Sequence, residues 1–113
     1  MHEISIMQST LEMAVQTAMD AKATGICRIR LRVGALSGVV PDALRFAFET
    51  LREGTLAENA ELDIDEVAVR CWCAQCHSEF AATDWLEECP TCHQLSSELR
   101  AGLELELASI ETT

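Results

Sequence analysis

From Ile4 to about Lys22 the apolar residues Ile4, Met7, Leu11, Val15 and Ala18 return at three- and four-residue steps. Alanine, methionine and glutamine fill the spaces, and neither glycine nor proline intervenes. Good helix formers on that period predict an amphipathic helix of about five turns. Gly25 is expected to end it or to begin the turn that follows.

The period then changes. Over residues 26–33, Cys27, Ile29, Leu31 and Val33 alternate with Arg28, Arg30 and Arg32, which predicts a half-buried strand with the first set inside. Gly34, Ser37 and Gly38 break it. Pro41 suits the first turn of a second helix, where its missing N–H costs nothing, and Asp42 lies near that helix's positive end. Leu44, Phe48 and Leu51 mark the buried stripe as far as Arg52, and Gly54 stops it. A second strand is expected over about 60–70, with Leu62 and Ile64 inside. Val67 and Val69 fall on the opposite parity, so a bulge is expected near Asp65–Glu66. The last strand is expected over 102–110, with Leu103, Leu105 and Leu107 inside and Glu104 and Glu106 outside.

These elements predict an α+β fold: a three-stranded sheet with two helices on one face, plus an inserted zinc-ribbon-like four-cysteine module. The body takes residues 1–70 and 99–113, and the module takes 71–98. Half-exposed strands pair by charge, and here one strand carries three arginines while the others carry Glu61, Asp63, Glu104 and Glu106. Cross-strand ion pairs explain this more simply than a dedicated anion site.

Composition narrows the picture. The chain has 113 residues, 49% of them hydrophobic but only 4% aromatic, so aliphatic and methionine packing must carry a thin core. Without the cysteine-rich stretch the body approaches the limit of ~70–80 residues below which folds usually need a staple. Acids outnumber bases 19 to 8, a formal charge of −11 that repels nucleic acids and anionic membranes. The opening lacks the basic start and apolar run of a signal peptide, and no stretch approaches the ~18 apolar residues of a membrane span. A cytoplasmic protein is expected, where thiols stay reduced. Its six cysteines then suggest metal or redox chemistry rather than disulfides.

Four of them form two knuckles, Cys73-x2-Cys76 and Cys89-x2-Cys92, with twelve residues between. Two intervening residues let both thiolates of a knuckle reach one ion, and two facing knuckles supply the tetrahedral sulfur set that zinc favours. All four ligands would be used, which marks a structural site, since catalytic zinc keeps an open position. Iron held by the same sulfurs is the chemical rival. A thiol oxidoreductase would need an activated thiolate, and no Lys or Arg occurs from Cys71 to Leu99 to activate one. Glu79, Asp84, Glu87, Glu88 and Glu98 make that stretch acidic, which argues against nucleic acid. Trp72, Phe80 and Trp85 are expected to form the module's small core. Cys71 is a spare thiol, a swap ligand or a small buried residue. His77 and His93, each following a knuckle, are solvated neighbours or modulators of the site.

A single histidine near a chain end is usually idle, but His2 directly follows Met1. The α-amine, the intervening amide nitrogen and the imidazole close adjacent chelate rings in one plane, and Glu3 adds an amide nitrogen or a carboxylate. Planar, nitrogen-rich donors suit Ni(II) or Cu(II).

The opening Met-His-Glu, the amphipathic helix, Arg-Val-Gly after an alternating strand, Phe-Glu-Thr-Leu-Arg-Glu and the paired knuckles together resemble the HypA/HybF family across essentially the whole chain. Members are nickel metallochaperones for maturation of [NiFe] hydrogenase and, in some organisms, urease. The resemblance implies a non-enzymatic protein that binds Ni(II) as cargo through Met1, His2 and Glu3. It implies structural Zn(II) at Cys73, Cys76, Cys89 and Cys92, a HypB-type GTPase as partner, and delivery to the hydrogenase large subunit by a monomer or homodimer. Cys71 matches no ligand of the family. A zinc-stapled adaptor that recruits the same partners without carrying nickel is the rival of a different class.

Overall fold

The computed structural model describes residues 2–113. The first helix, α1, runs from Glu3 to Asp20, and Met7, Leu11, Ala14 and Ala18 form its buried stripe. Ile4, expected in that stripe, is exposed. The helix ends before Gly25. Lys22 takes the left-handed conformation (φ 59°), its N–H donates to the Met19 carbonyl, and the Ala23 N–H reaches back to Ala18. That is a Schellman cap with lysine where glycine is usual.

Strand β1 covers Ile26–Gly34, α2 covers Pro41–Leu51 and β2 covers Glu61–Val67. After the second sheet comes β6, Leu105–Thr112. The first sheet is mixed, in the order β2-β1-β6, with β2 parallel and β6 antiparallel to β1. Both helices pack on it, with Ile29, Leu31, Val33, Leu44, Ala47 and Phe48 at the centre of the core. The other face carries the expected ion pairs: Arg28 meets Glu61 at 3.0 Å and Asp63 at 2.6 Å, and Arg32 meets Glu106 at 3.1 Å.

Several strand details differ from the expectation. Cys27 is exposed and Ile26 takes the buried place, because the register shifts between Ile26 and Arg28. No bulge interrupts β2 at Asp65–Glu66: its pairing runs unbroken to Val67, where the chain leaves the sheet, and the change of parity marks that exit. Leu103 and Leu105 are exposed rather than inside. A second register shift, between Arg30 and Leu31 of β1, skips Ala108 on β6. Leu107 and Ile110, three apart, therefore both pack against the core.

Strands β3 (Arg70–Cys73), β4 (Ser78–Ala81) and β5 (Glu98–Ala101) form a second, antiparallel sheet in the order β4-β3-β5. Val69, Cys71, Cys73, Phe80 and Cys89 are its core, and Leu36 packs against it from the loop after β1. That loop is the neck between the sheets. Gly34 N–H donates to the Glu104 carbonyl, Ala35 N–H to Val67 and Leu36 N–H to Gly102. Among the described residues, no helix is long and apolar enough to cross a membrane.

Candidate metal centres

The four knuckle cysteines converge. Their sulfurs all lie within 4.8 Å of one another, with Cys73 and Cys92 at 3.4 Å and Cys76 and Cys89 at 3.9 Å. Four sulfurs at ~2.3 Å from a tetrahedral zinc lie about 3.8 Å apart, so the donor set and its spacing fit that ion. Cys73 comes from the end of β3, and the β3–β4 turn brings Cys76 back over it. The second knuckle is held by the Cys89 N–H to Gln94 and the His93 N–H to Cys89.

Backbone N–H groups point into the sulfurs. The Cys76 N–H donates to the Cys73 sulfur at 3.4 Å. The N–H groups of Cys92 and Thr91 bring the Cys89 thiol down to about 6. Cys76 goes the other way, up to about 12, through its hydrogen bond with the Cys92 thiol and through burial. A metal arriving at such a cluster displaces the protons that its thiols carry.

His77 and His93 acquire a physical explanation that spacing alone does not supply. Both have left-handed backbones (φ 53° and 64°), each closing the turn after a knuckle. Histidine is among the non-glycine residues enriched there. Their side chains are exposed, and neither belongs to the four-sulfur cluster. Cys71 is fully buried, and its thiol faces the carbonyls of Asp84 and Trp85, both at 3.6 Å, outside that cluster. Of the three aromatics expected in the module's core, Phe80 alone is buried. Trp72 lies under the Arg100 guanidinium at 4.2 Å, and Trp85 is exposed.

At the chain start, Met1 lies outside the described residues. His2 is the N-cap of α1; its side chain is exposed and its carbonyl accepts the Ile6 N–H at 2.9 Å. An α-helix leaves the N–H groups of its first residues out of its own ladder, and that of Glu3 donates to its own carboxylate instead. The Glu3 side chain is buried. Its carboxylate accepts the Val40 N–H at 3.3 Å, at the N-cap of α2. Hydrogen bonds from its own backbone and from Val40 hold its ionisation below the ordinary value. Glu3 thus ties the start of α1 to the start of α2, a contact between elements distant in sequence that only the fold reveals. A recess of about 500 Å³ adjoins it, lined by His2, Glu3, Ile4, Ser5, Ala43 and Phe46.

Residues 1–112 match the family described as "HypA: Hydrogenase/urease nickel incorporation, metallochaperone, hypA". The chain is 49% identical over 111 residues to a hydrogenase maturation factor HypA from Picosynechococcus sp., covering 98% of each. It is 40% identical to the HypA of Rhizobium leguminosarum bv. viciae, again covering 98% of each. The solution structure of the Ni metallochaperone HypA from Helicobacter pylori superposes with a TM-score of 0.68 at 30% identity, covering 99% of this chain and 97% of that one.

Proposed function

The chain belongs to the HypA/HybF family of hydrogenase maturation nickel metallochaperones, whose members are chaperones rather than catalysts, and from that premise we propose how it handles two metals. Ni(II) is the cargo, bound at the chain start by the Met1 amine, the His2 imidazole and the backbone around Glu3. Zn(II) is structural, held by Cys73, Cys76, Cys89 and Cys92. Residues 1–70 and 99–113 form the nickel-binding body, and 71–98 form the zinc module. The chaperone works with a HypB-type GTPase and passes nickel to the [NiFe]-hydrogenase large subunit, with urease the second destination named by the family.

The observation that carries the reading is the placement of His2, exposed at the head of α1 in a chain matched to the family along nearly all its length. Imidazole, amine and amide nitrogens close a planar, nitrogen-rich set that suits Ni(II). The Glu3 carboxylate is held by the Val40 N–H and by its own backbone N–H, so we take the Glu3 backbone nitrogen as the donor, its N–H being given up by that carboxylate when nickel binds. An exposed site suits a carrier, since release to an acceptor needs no unfolding. The four sulfurs form a closed set, and closed four-thiolate sites hold a fold together.

Nickel titration by calorimetry and absorbance, on zinc-loaded protein with its native N-terminus, tests the reading. His2→Ala is expected to abolish binding and hydrogenase maturation while leaving fold and zinc intact. Maturation at low nickel by that variant would sink it. Extending the chain by one residue before Met1 blocks the amine and is expected to have the same effect, whereas a pure adaptor tolerates it.

A further inference from the structure

Strand β6 is an edge of the first sheet: β1 pairs with one side of it, and among the described residues no strand pairs with the other. Roughly half of its backbone N–H and C=O groups therefore point away from the sheet, where another extended chain can complete them. Proteins ordinarily blunt such edges with charge, lysine or proline. The opposite edge is blunted in this way, since β2 carries Glu61, Asp63, Asp65 and Glu66 within seven residues. Strand β6 has neither lysine nor proline. Its bulge at Ala108 leaves Leu105, Glu106 and Leu107 in unbroken register with Val33, Arg32 and Leu31.

The two faces of this edge differ in chemistry. Leu105 and Leu107 stand on the helix side and border a recess of about 570 Å³ between β6 and α1, whose helix wall includes Ile6, Ser9 and Met13. Leu105 is 42% exposed and Met13 55%, so hydrocarbon there meets water. Glu106 and Glu111 stand on the open face, opposite Arg32 and Arg28. The ion pairs of that face join five carboxylates, those of Glu61, Asp63, Asp65, Glu106 and Glu111, to the three guanidiniums of Arg28, Arg30 and Arg32. Arg28 is shared by three of the five. The excess is negative, and two of the acids lie on the edge strand itself.

We propose that the free edge of β6 takes an added strand, and that its occupant is an extended segment of a partner protein in which apolar residues alternate with lysine or arginine. The backbone of β6 supplies hydrogen bonds to any extended chain, and the side chains on its two faces select among them. Alternate residues of the added strand fall over the recess beside Leu105 and Leu107, and the intervening ones come beside Glu106 and Glu111. A second copy of this chain does not suit the edge. Two-fold pairing through β6 brings a second Glu106 and Glu111 to the same face, where like charges repel, and each chain carries −11. The surface goes beyond nickel handling and does not depend on it.

The test titrates full-length, zinc-replete protein into a fluorescein-labelled, end-blocked peptide of four Lys-Val repeats and follows anisotropy. Two control peptides accompany it: four Lys-Pro repeats, which keep the charge but cannot form a strand, and four Glu-Val repeats, which keep the strand but reverse the charge. Each control is expected to bind about tenfold more weakly or worse. Changing Glu106→Gln together with Glu111→Gln, or Met13→Ser alone, is expected to weaken the Lys-Val peptide severalfold, whereas Trp85→Ser in the cysteine module leaves it unchanged. Hydrogen exchange on the complex is expected to slow at β6 and not at β2. Equal binding of the Lys-Pro peptide overturns the proposal, because charge alone then explains the association. Unchanged exchange at β6, or affinity indifferent to both the glutamine pair and Met13→Ser, overturns it too. Concentration-dependent dimerisation in sedimentation, with slowed exchange at β6 in the protein alone, makes a second copy the occupant and overturns the choice of partner.

Discussion

Gly34 and Gly102 meet backbone to backbone, so that a Cβ on Gly34 would fall 2.2 Å from the carbonyl carbon and oxygen of Gly102. Gly102 itself has φ 128°, beyond the reach of most side chains, and its own Cβ would press on Val69 at 3.3 Å. The two chain passages between the sheets are therefore clamped by close main-chain contact. Gly34→Ala is expected to destabilise the protein by about 3 kcal/mol or more, because neither side of the clash is a movable side chain. Urea unfolding followed by far-UV circular dichroism and by the fluorescence of Trp72 and Trp85 measures the loss. Unchanged midpoints would mean that the neck yields freely.

Asp63 sits under Arg28, whose hydrogen bond, followed by its charge and that of Arg30, holds the carboxylate below its ordinary 3.8. A depressed folded-state value gives a contribution that is complete above about pH 4 and lost as pH falls through the folded value. Parent stability should therefore drop more steeply below pH 4 than that of Asp63→Asn, with the two curves converging in acid. Denaturant midpoints across that range supply the comparison.

Lys22 occupies the left-handed position that closes α1. Lys22→Gly relieves that conformation and should stabilise the protein by about 1 kcal/mol, seen as a higher melting temperature. A lower one would mean that the lysine side chain contributes more than its backbone costs.

Cys89→Ser removes one corner of the sulfur cluster and is expected to leave the purified protein without zinc. Cys71→Ser should keep a full equivalent, because its Oγ can donate to the Asp84 and Trp85 carbonyls as the thiol does. Elemental analysis of both variants separates a ligand from a buried bystander.

Glu3→Gln retains an oxygen acceptor for the Val40 N–H, and Glu3→Ala does not. Nickel affinity within about twofold of the parent is expected for the glutamine variant, with a clear fall in urea midpoint only for the alanine. Loss of nickel in Glu3→Gln would return the carboxylate to the ligand set.

Much of this was readable beforehand where a period or a spacing carries physical meaning. The apolar returns of α1, the Pro41 start of α2 and the arginine alternation of β1 each express one local rule, and the paired knuckles express the reach of two thiolates. What stayed hidden depends on partners distant in sequence. The alternation of Leu103, Leu105 and Leu107 starts just after the bend at Gly102, before β6 begins, and a period of two cannot say where the chain changes sheets. Cys27 alternates correctly with the arginines, but a register shift against β6 turns it outward. Phe46 carries no metal-ligand chemistry, and only the fold sets it beside His2. Gly34 and Gly102 were the available clue to the neck, yet a glycine in sequence does not name the backbone it admits.

The order of strands β2-β1-β6 also has a kinetic side. Strand β6 can complete the first sheet only after the whole stretch between Val67 and Leu105 has been made and its ends brought to opposite edges of β1. Closing a loop of that length costs entropy while the loop is free, and less once it has condensed into a compact unit. Zinc captured by the knuckles would therefore shorten the effective tether before β6 docks. Chains whose knuckles hold no metal should then pair their last strand more slowly.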